Sequence, residues 1–203
     1  MAEAVDRVTG SLYRPDGSVA RYGVVVSKAA DTRDRILDAF EQLVIERGER
    51  AGTLAATAEA AGVSKGGLLY HFGSKAALVA GLAERLDRFG EAEEVRLGAL
   101  DDAVAAFLRE SVIADQPVDR TLLALLQLGQ LEEHAAARDA LTRLDDHYLA
   151  ALEASIGDRD LALVIVRLSD GIYLRSALGG SESIPADSVD RVIARLDGLI
   201  RAG

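Results

Sequence analysis

The chain has 203 residues, no cysteine and no tryptophan, and carries 23 basic against 33 acidic side chains. Without cysteine there is no disulfide, no thiolate nucleophile and no Cys-ligated zinc or iron–sulfur centre, and nothing points to an oxidising compartment. No uncharged apolar run approaches the roughly 18–20 residues that span a bilayer. The start, MAEAVDRVTG, lacks the basic-then-apolar order of a secretory signal, so a cytoplasmic, soluble protein is expected.

A net charge of −10 at first argues against a nucleic-acid binder, because phosphate contacts need Lys and Arg. Its distribution argues otherwise. Residues 1–27 hold three side chains of each sign and residues 28–89 nine of each, so the whole surplus of acid lies in residues 90–203. Between residues 60 and 83 the only charged side chains are Lys65 and Lys75. With 35 Ala, 29 Leu and only three Pro, the composition predicts an all-α fold.

In chain order, residues 1–27 come first. Leu12-Tyr13 and Val19 to Val26 flank Pro15-Asp16-Gly17-Ser18, which reads either as a turn between two short strands or as part of a disordered arm. A third reading takes Val26 as a start codon translated as valine, which would put residues 1–25 upstream of the native start.

From Asp31 the pattern is helical. Asp31 or Thr32 is the expected cap, Ile36, Leu37, Phe40, Leu43 and Val44 form one apolar stripe, and Gly48 ends the helix. Thr53 caps a helix from Leu54 to Ala61, Gly62-Val63 makes a turn, and Ser64 caps a helix from Lys65 to Phe72. After Gly73-Ser74, Lys75 starts a longer helix with Leu78, Val79, Leu82 and Leu86. Further amphipathic helices are expected over 100–114, 117–131, 132–155, 161–178 and 185–201, with Gly179-Gly180-Ser181 as a loop.

Two short helices joined by Gly62-Val63-Ser64 have helix-turn-helix spacing. The first braces the second, the turn needs a glycine able to take positive φ, and the second must fit a major groove roughly 12 Å wide. Ser64 and Lys65 at its start, Tyr70 and His71 near its end, and Lys75 on the next helix are suited to phosphate. Spacing alone leaves an ordinary helical hairpin as an equal alternative.

The run AGVSKGGLLYHFGSKAAL (61–78), preceded by RILDAFEQLVIERG (35–48) and Thr53, resembles the N-terminal DNA-binding domain of the TetR family of bacterial regulators. The resemblance covers about residues 31–86, and four elements fall in the family's order and spacing. It implies a three-helix helix-turn-helix domain (28–80, motif 53–72) followed by a helical effector-binding and dimerisation domain (81–203). It also implies a transcription regulator, most simply a repressor that binds a palindromic operator as a homodimer and is released by a small-molecule effector. Carried over residue by residue, DNA contacts fall on Thr53, Ser64, Lys65, Gly66, Gly67, Tyr70, His71 and Lys75, while Phe72 is a hinge aromatic expected in the core. Gly67, Leu69 and Thr57 depart from the family's usual residues. Gly66-Gly67 offers no side chain to read bases and loosens the helix by roughly 1 kcal/mol per residue relative to Ala. Specificity is therefore expected to lean on operator shape.

The helix over 161–178 is apolar most of the way round and that over 185–201 has one stripe, which together suit either a large core within the chain or, favoured given the DNA-binding half, an isologous four-helix interface. Its expected residues are Leu161, Val164, Leu168, Ile172, Val189, Ile193, Leu196 and Ile200. Polar groups among apolar helices nominate a ligand pocket of Phe107, Gln127, Leu131, His147, Tyr148, Asp170 and Tyr173. Two of these have plainer readings: Asp170 can pair with Arg167 one turn earlier, and His147 can lie on a solvated face. Glu132-Glu133-His134 is not expected to bind metal, because neighbours on a helix project about 100° apart and no second His follows at i+3 or i+4. No Walker loop, GxSxG, HExxH or GxGxxG is present, so neither a cofactor nor an enzymatic activity is expected. The expected partners are double-stranded operator DNA, a small-molecule effector and a second copy of the chain, with no membrane. An all-α ligand carrier that has lost DNA binding is the alternative from another class.

Overall fold

The computed structural model describes residues 11–13, 19–21, 28–111, 117–177 and 186–200. The turn at residues 15–18, the Val26 reading and the 179–181 loop lie outside them. Ser11–Tyr13 (β1) and Val19–Arg21 (β2) pair antiparallel with Leu12 opposite Ala20, the hairpin of the three readings. The described remainder is all-α. Helices α1 (Lys28–Arg47), α2 (Leu54–Ala60), α3 (Lys65–His71), α4 (Lys75–Gly98), α5 (Ala103–Glu110), α6 (Pro117–Leu128), α7 (Ala135–Ile156), α8 (Arg159–Ala177) and α9 (Ala186–Ile200) follow in order, with a 3-10 turn at Glu49–Ala51. Among these residues no helix is long and apolar enough to cross a membrane.

Local chemistry explains most boundaries. The hydroxyls of Thr53, Ser64 and Ser74 accept from the N–H groups of Ala56, Gly67 and Ala77 at 3.1, 3.0 and 3.1 Å, capping α2, α3 and α4. Gly48 and Gly62 hold φ of +80° and +64°, which ends α1 and turns the chain between α2 and α3. Two boundaries differ from expectation. The chain is already helical at Lys28, so Asp31 lies in the first turn of α1 and does not cap it. More consequentially, α6 stops at Leu128 and α7 begins at Ala135, so residues 129–134 form a connection where helix was expected. The Arg138 guanidinium folds that connection back by donating to the carbonyls of Gly129, Leu131 and Glu132.

The helices enclose two cores. Ile36, Leu37, Phe40, Val44, Leu68, Phe72, Leu78, Leu82 and Leu86 pack together with Leu125, Leu128 and Leu144 from α6 and α7. The first core therefore runs across the boundary drawn at residue 80, which falls inside α4. Leu97, Phe107, Leu108, Leu152, Ile165, Val166, Ile172, Val189 and Ile193 form the second core among α4, α5, α7, α8 and α9. Gly90 lets α4 and α7 approach closely, since a Cβ there would lie 2.8 Å from the His147 ring.

One buried carboxylate ties α1 to the C-terminal half. Glu41 accepts from the Thr121 hydroxyl at 2.8 Å, with Arg85 Nη1 3.4 Å and Arg120 Nε 3.5 Å away. Burial raises its pKa above the ordinary 4.5, outweighing the opposing pull of Thr121 and Arg85. A carboxyl that is harder to ionise when folded adds stability at low pH and loses that contribution as pH rises through its folded value. Relative to Glu41→Gln, the wild-type protein should therefore gain thermal stability as pH falls from neutrality toward 4.5. Paired melting curves across that range check the sign, and a constant difference between the two proteins would contradict it.

Candidate nucleic-acid interface

Helix α3 is short, and one face of it is anchored. Leu68 is fully buried, while Lys65, Gly66, Leu69 and Tyr70 are exposed, Tyr70 to 84%. The Tyr70 and His71 rings meet edge to face at 5.1 Å, which orders two polar aromatics at the end of the helix. Thr53, Ser64, Lys65, Gly66 and Tyr70 are each exposed, and Gly67 and His71 are partly buried. A Cβ on Gly66 would meet nothing, whereas one on Gly67 would press to 3.2 Å of the Ser64 cap. The backbone at Gly66 is thus open to close approach, and Gly67 keeps room for the cap.

Helix α2 braces α3 through Ala58, which is buried with Leu68 in the first core. Thr57 is fully buried as well, and its hydroxyl has no hydrogen-bond partner among the described residues. Leaving such a group unpaired costs about 1–3 kcal/mol. Thr57→Val, which removes the hydroxyl and keeps the shape, should raise stability by about 1 kcal/mol in urea titration, and a loss of stability would show the hydroxyl to be satisfied.

Lys75 is paired within the chain. Its ammonium donates to the carbonyl and the carboxylate of Glu49, and only 27% of the side chain is exposed. The stretch without acids is a property of the sequence; in space the turn after α1 brings Glu49 alongside it. The paired ammonium also holds the Glu49 carboxyl below the usual carboxylate range.

In the C-terminal half the expected pocket residues disperse. Phe107 and Tyr148 meet with ring centroids 4.7 Å apart, and burial pushes the Tyr148 hydroxyl pKa up. Near them lie Glu93, Arg96 and Glu110, which sequence reading missed; Arg96 bonds both carboxylates. A buried hydroxyl pair, Ser111 and Ser169 at 2.7 Å, was also missed, since isolated serines carry no pattern. The rest point elsewhere. Gln127 and Leu131 are exposed, and His147 hydrogen-bonds Glu94 across α4 and α7. Asp170 pairs with Arg167 at 2.6 Å, as its plainer reading held, and Tyr173 donates to the Asp119 carbonyl at 3.2 Å.

The expected dimer residues also divide. Ile172, Val189 and Ile193 are buried in the chain's own second core, with Leu161, Leu168, Leu196 and Ile200 packed against it. The first three are thus spent within the chain, while the other four keep part of their surface exposed. Only Val164 of the set is well exposed, at 61%, and it shares that exposure with Leu163 and Leu174 on α8.

Residues 36–82, which hold this motif, match the family model of bacterial regulatory proteins of the tetR family. The HTH-type transcriptional regulator BetI of Serratia proteamaculans is 30% identical over 175 residues, covering 77% of this chain and 86% of that protein. The chain belongs to the TetR family of bacterial transcription regulators. The HTH-type transcriptional repressor KstR2 of Rhodococcus jostii is 27% identical, with 82% of this chain and 90% of that protein covered. Among solved structures, the multidrug binding protein EbrR complexed with malachite green superposes with a TM-score of 0.64 at 22% identity, covering 81% of this chain and 96% of that one. TetR-family proteins are transcription regulators and not enzymes.

Proposed function

We propose that this TetR-family regulator is a homodimeric repressor that holds a palindromic operator through α3 and releases it when a small molecule enters the C-terminal half. The observation that carries the reading is the displayed face of α3: Lys65 and Tyr70 stand exposed beside a backbone left open by Gly66. Lys65, Tyr70, His71, Ser64 and Thr53 contact phosphates, and the bare Gly66-Gly67 backbone approaches the groove, so operator shape contributes much of the selectivity. Lys75 joins them when it leaves Glu49.

Dimerisation uses the exposed face of α8 at Leu163, Val164 and Leu174, apolar groups that a second copy would cover. The effector site lies around Phe107 and Tyr148, whose rings meet close to the Arg96 cluster, and the complex of EbrR with malachite green supports a small-molecule ligand on this fold. The lever is α4, continuous from Lys75 beside α3 to Gly98 beside α5. A tenfold loss of operator affinity needs only about 1.4 kcal/mol of differential effector binding between two conformers.

The test is selection from random duplexes by the purified protein, followed by gel shift of the winner. A two-fold symmetric sequence with half-site centres about 34–36 Å apart is expected. Failure to enrich any duplex at low salt would overturn the reading in favour of a ligand carrier.

A further inference from the structure

Three groups from two distant stretches of sequence converge where the two halves of the chain meet. Glu49 stands on the turn after α1, while Glu133 and His134 end the connection from α6 to α7. His134 is 6% exposed, and its Nε2 has no hydrogen-bond partner among the described residues. That nitrogen lies 3.6 Å from Oε1 of Glu49 and 3.7 Å from Oε1 of Glu133. A buried, unpartnered imidazole nitrogen aimed between two carboxylates is a donor set awaiting an acceptor of its lone pair.

We propose that Glu49, Glu133 and His134 bind a divalent transition cation of the zinc, cobalt or nickel kind. One imidazole and two carboxylates suit such borderline ions better than calcium or magnesium, which take oxygen alone. Ligands about 2.1 Å from a tetrahedral ion stand about 3.4 Å from one another. The imidazole nitrogen is already close to that range from each carboxylate, and the three ligand atoms all lie within 4.8 Å of one another, so the exposed Glu133 side chain closes the site by moving inward. Water takes the fourth position, and the exposed carboxylate of Glu133 gives the ion its way in. The sequence argument against metal assumed Glu132 to His134 to be helical; they are not, and the third ligand comes from 84 residues upstream of Glu133.

The ion has a competitor. The Lys75 ammonium occupies the same Oε1 of Glu49 that faces His134. A divalent ion and an ammonium on one carboxylate oxygen repel each other, so metal entry drives Lys75 from the carboxylate, leaving it the Glu49 carbonyl or solvent. On the reading of α3 as a DNA-binding helix, a displaced Lys75 is available to phosphate, and the metal then favours operator binding.

Cobalt titration of the full-length protein, followed by visible absorption and by displacement with zinc in a calorimeter, tests this without DNA. One site per chain is expected. Glu133→Gln and His134→Gln should each weaken it at least tenfold, and Lys75→Met should tighten it at least tenfold by removing the competing charge. Glu133 is exposed, so its variant keeps the fold even if the His134 variant does not. Absence of binding, or binding indifferent to Glu133→Gln and Lys75→Met, would overturn the site, the latter marking diffuse association with the acidic surface. Selection of duplexes is read separately. A cobalt spectrum without duplex binding sinks the regulator reading and keeps the site, and duplex binding without the spectrum does the reverse.

Discussion

Phe72→Ala should cost about 3–5 kcal/mol and unfold the DNA-binding end at temperatures where the wild-type protein is intact. The ring is 3% exposed and lies where α3 gives way to α4. Gly81 on α4 makes room for it, since a Cβ there would come within 2.8 Å of the Phe72 ring and 2.9 Å of Leu37. The guanidinium of Arg33 covers its face at 5.2 Å from the centroid, adding a cation–π contact. Truncation removes the wedge that sets α3 against α4 and leaves a cavity that backbone helices cannot close. Against a total stability of about 5–15 kcal/mol, this is a large fraction. Urea titration measures it, and Phe72→Leu should recover more than half of the loss because it refills most of the volume. A cost below about 1 kcal/mol for Phe72→Ala would mean that the ring is not the wedge described.

The second large effect concerns DNA. Lys65→Ala should weaken operator binding about a hundredfold, because a charge-assisted phosphate contact worth about 1.4 kcal/mol is lost in each half-site of a dimer. The plot of log affinity against log salt should become shallower by about 1.8, for two phosphates no longer neutralised. Tyr70→Ala should act with similar size and less change in the salt slope, since a phenol donates a hydrogen bond without releasing a counterion. Tyr70→Phe separates the hydroxyl from the ring. Neither residue touches the core, so melting temperatures should stay near that of the wild type. Unchanged affinity in the Lys65→Ala, Tyr70→Ala double variant would remove α3 as the reading helix.

These two effects differ in how far they were visible beforehand. Phe72 and the capped helices around it follow from short-range rules: Ser64 precedes its helix by one residue, Gly62 sits where positive φ is needed, and Leu68 and Phe72, four residues apart, make the one buried stripe at α3. The exposed face of Lys65, Gly66 and Tyr70 is the complement of that stripe, so it is equally local. The pairing of Lys75 does not follow from such rules. Its spacing from Ser64 is right for a phosphate contact, yet its charge is spent on Glu49, 26 residues away across the turn after α1.

The same limit divides the C-terminal half. Apolar stripes on α8 and α9 determine that something must cover them, but burial energy is non-directional and does not name the cover. The fold chose the chain's own second core for Ile172, Val189 and Ile193 and left Leu163, Val164 and Leu174 outside. The pocket candidates scattered for a related reason, since a polar residue in an apolar helix signals only that it needs a partner. His147 found Glu94, Asp170 found Arg167, and Tyr173 found a backbone carbonyl.

Composition, caps and periodicity by themselves determined an all-α chain with two short capped helices near its start, because each of those features is set within one or two helical turns; it took the resemblance to the TetR family to read that pair as a helix-turn-helix. Which charges are free, which stripes are spent internally, and that His134 faces Glu49 were decided only by tertiary structure. Long-range pairing depends on how helices pack across the whole molecule, and no local pattern encodes the partner.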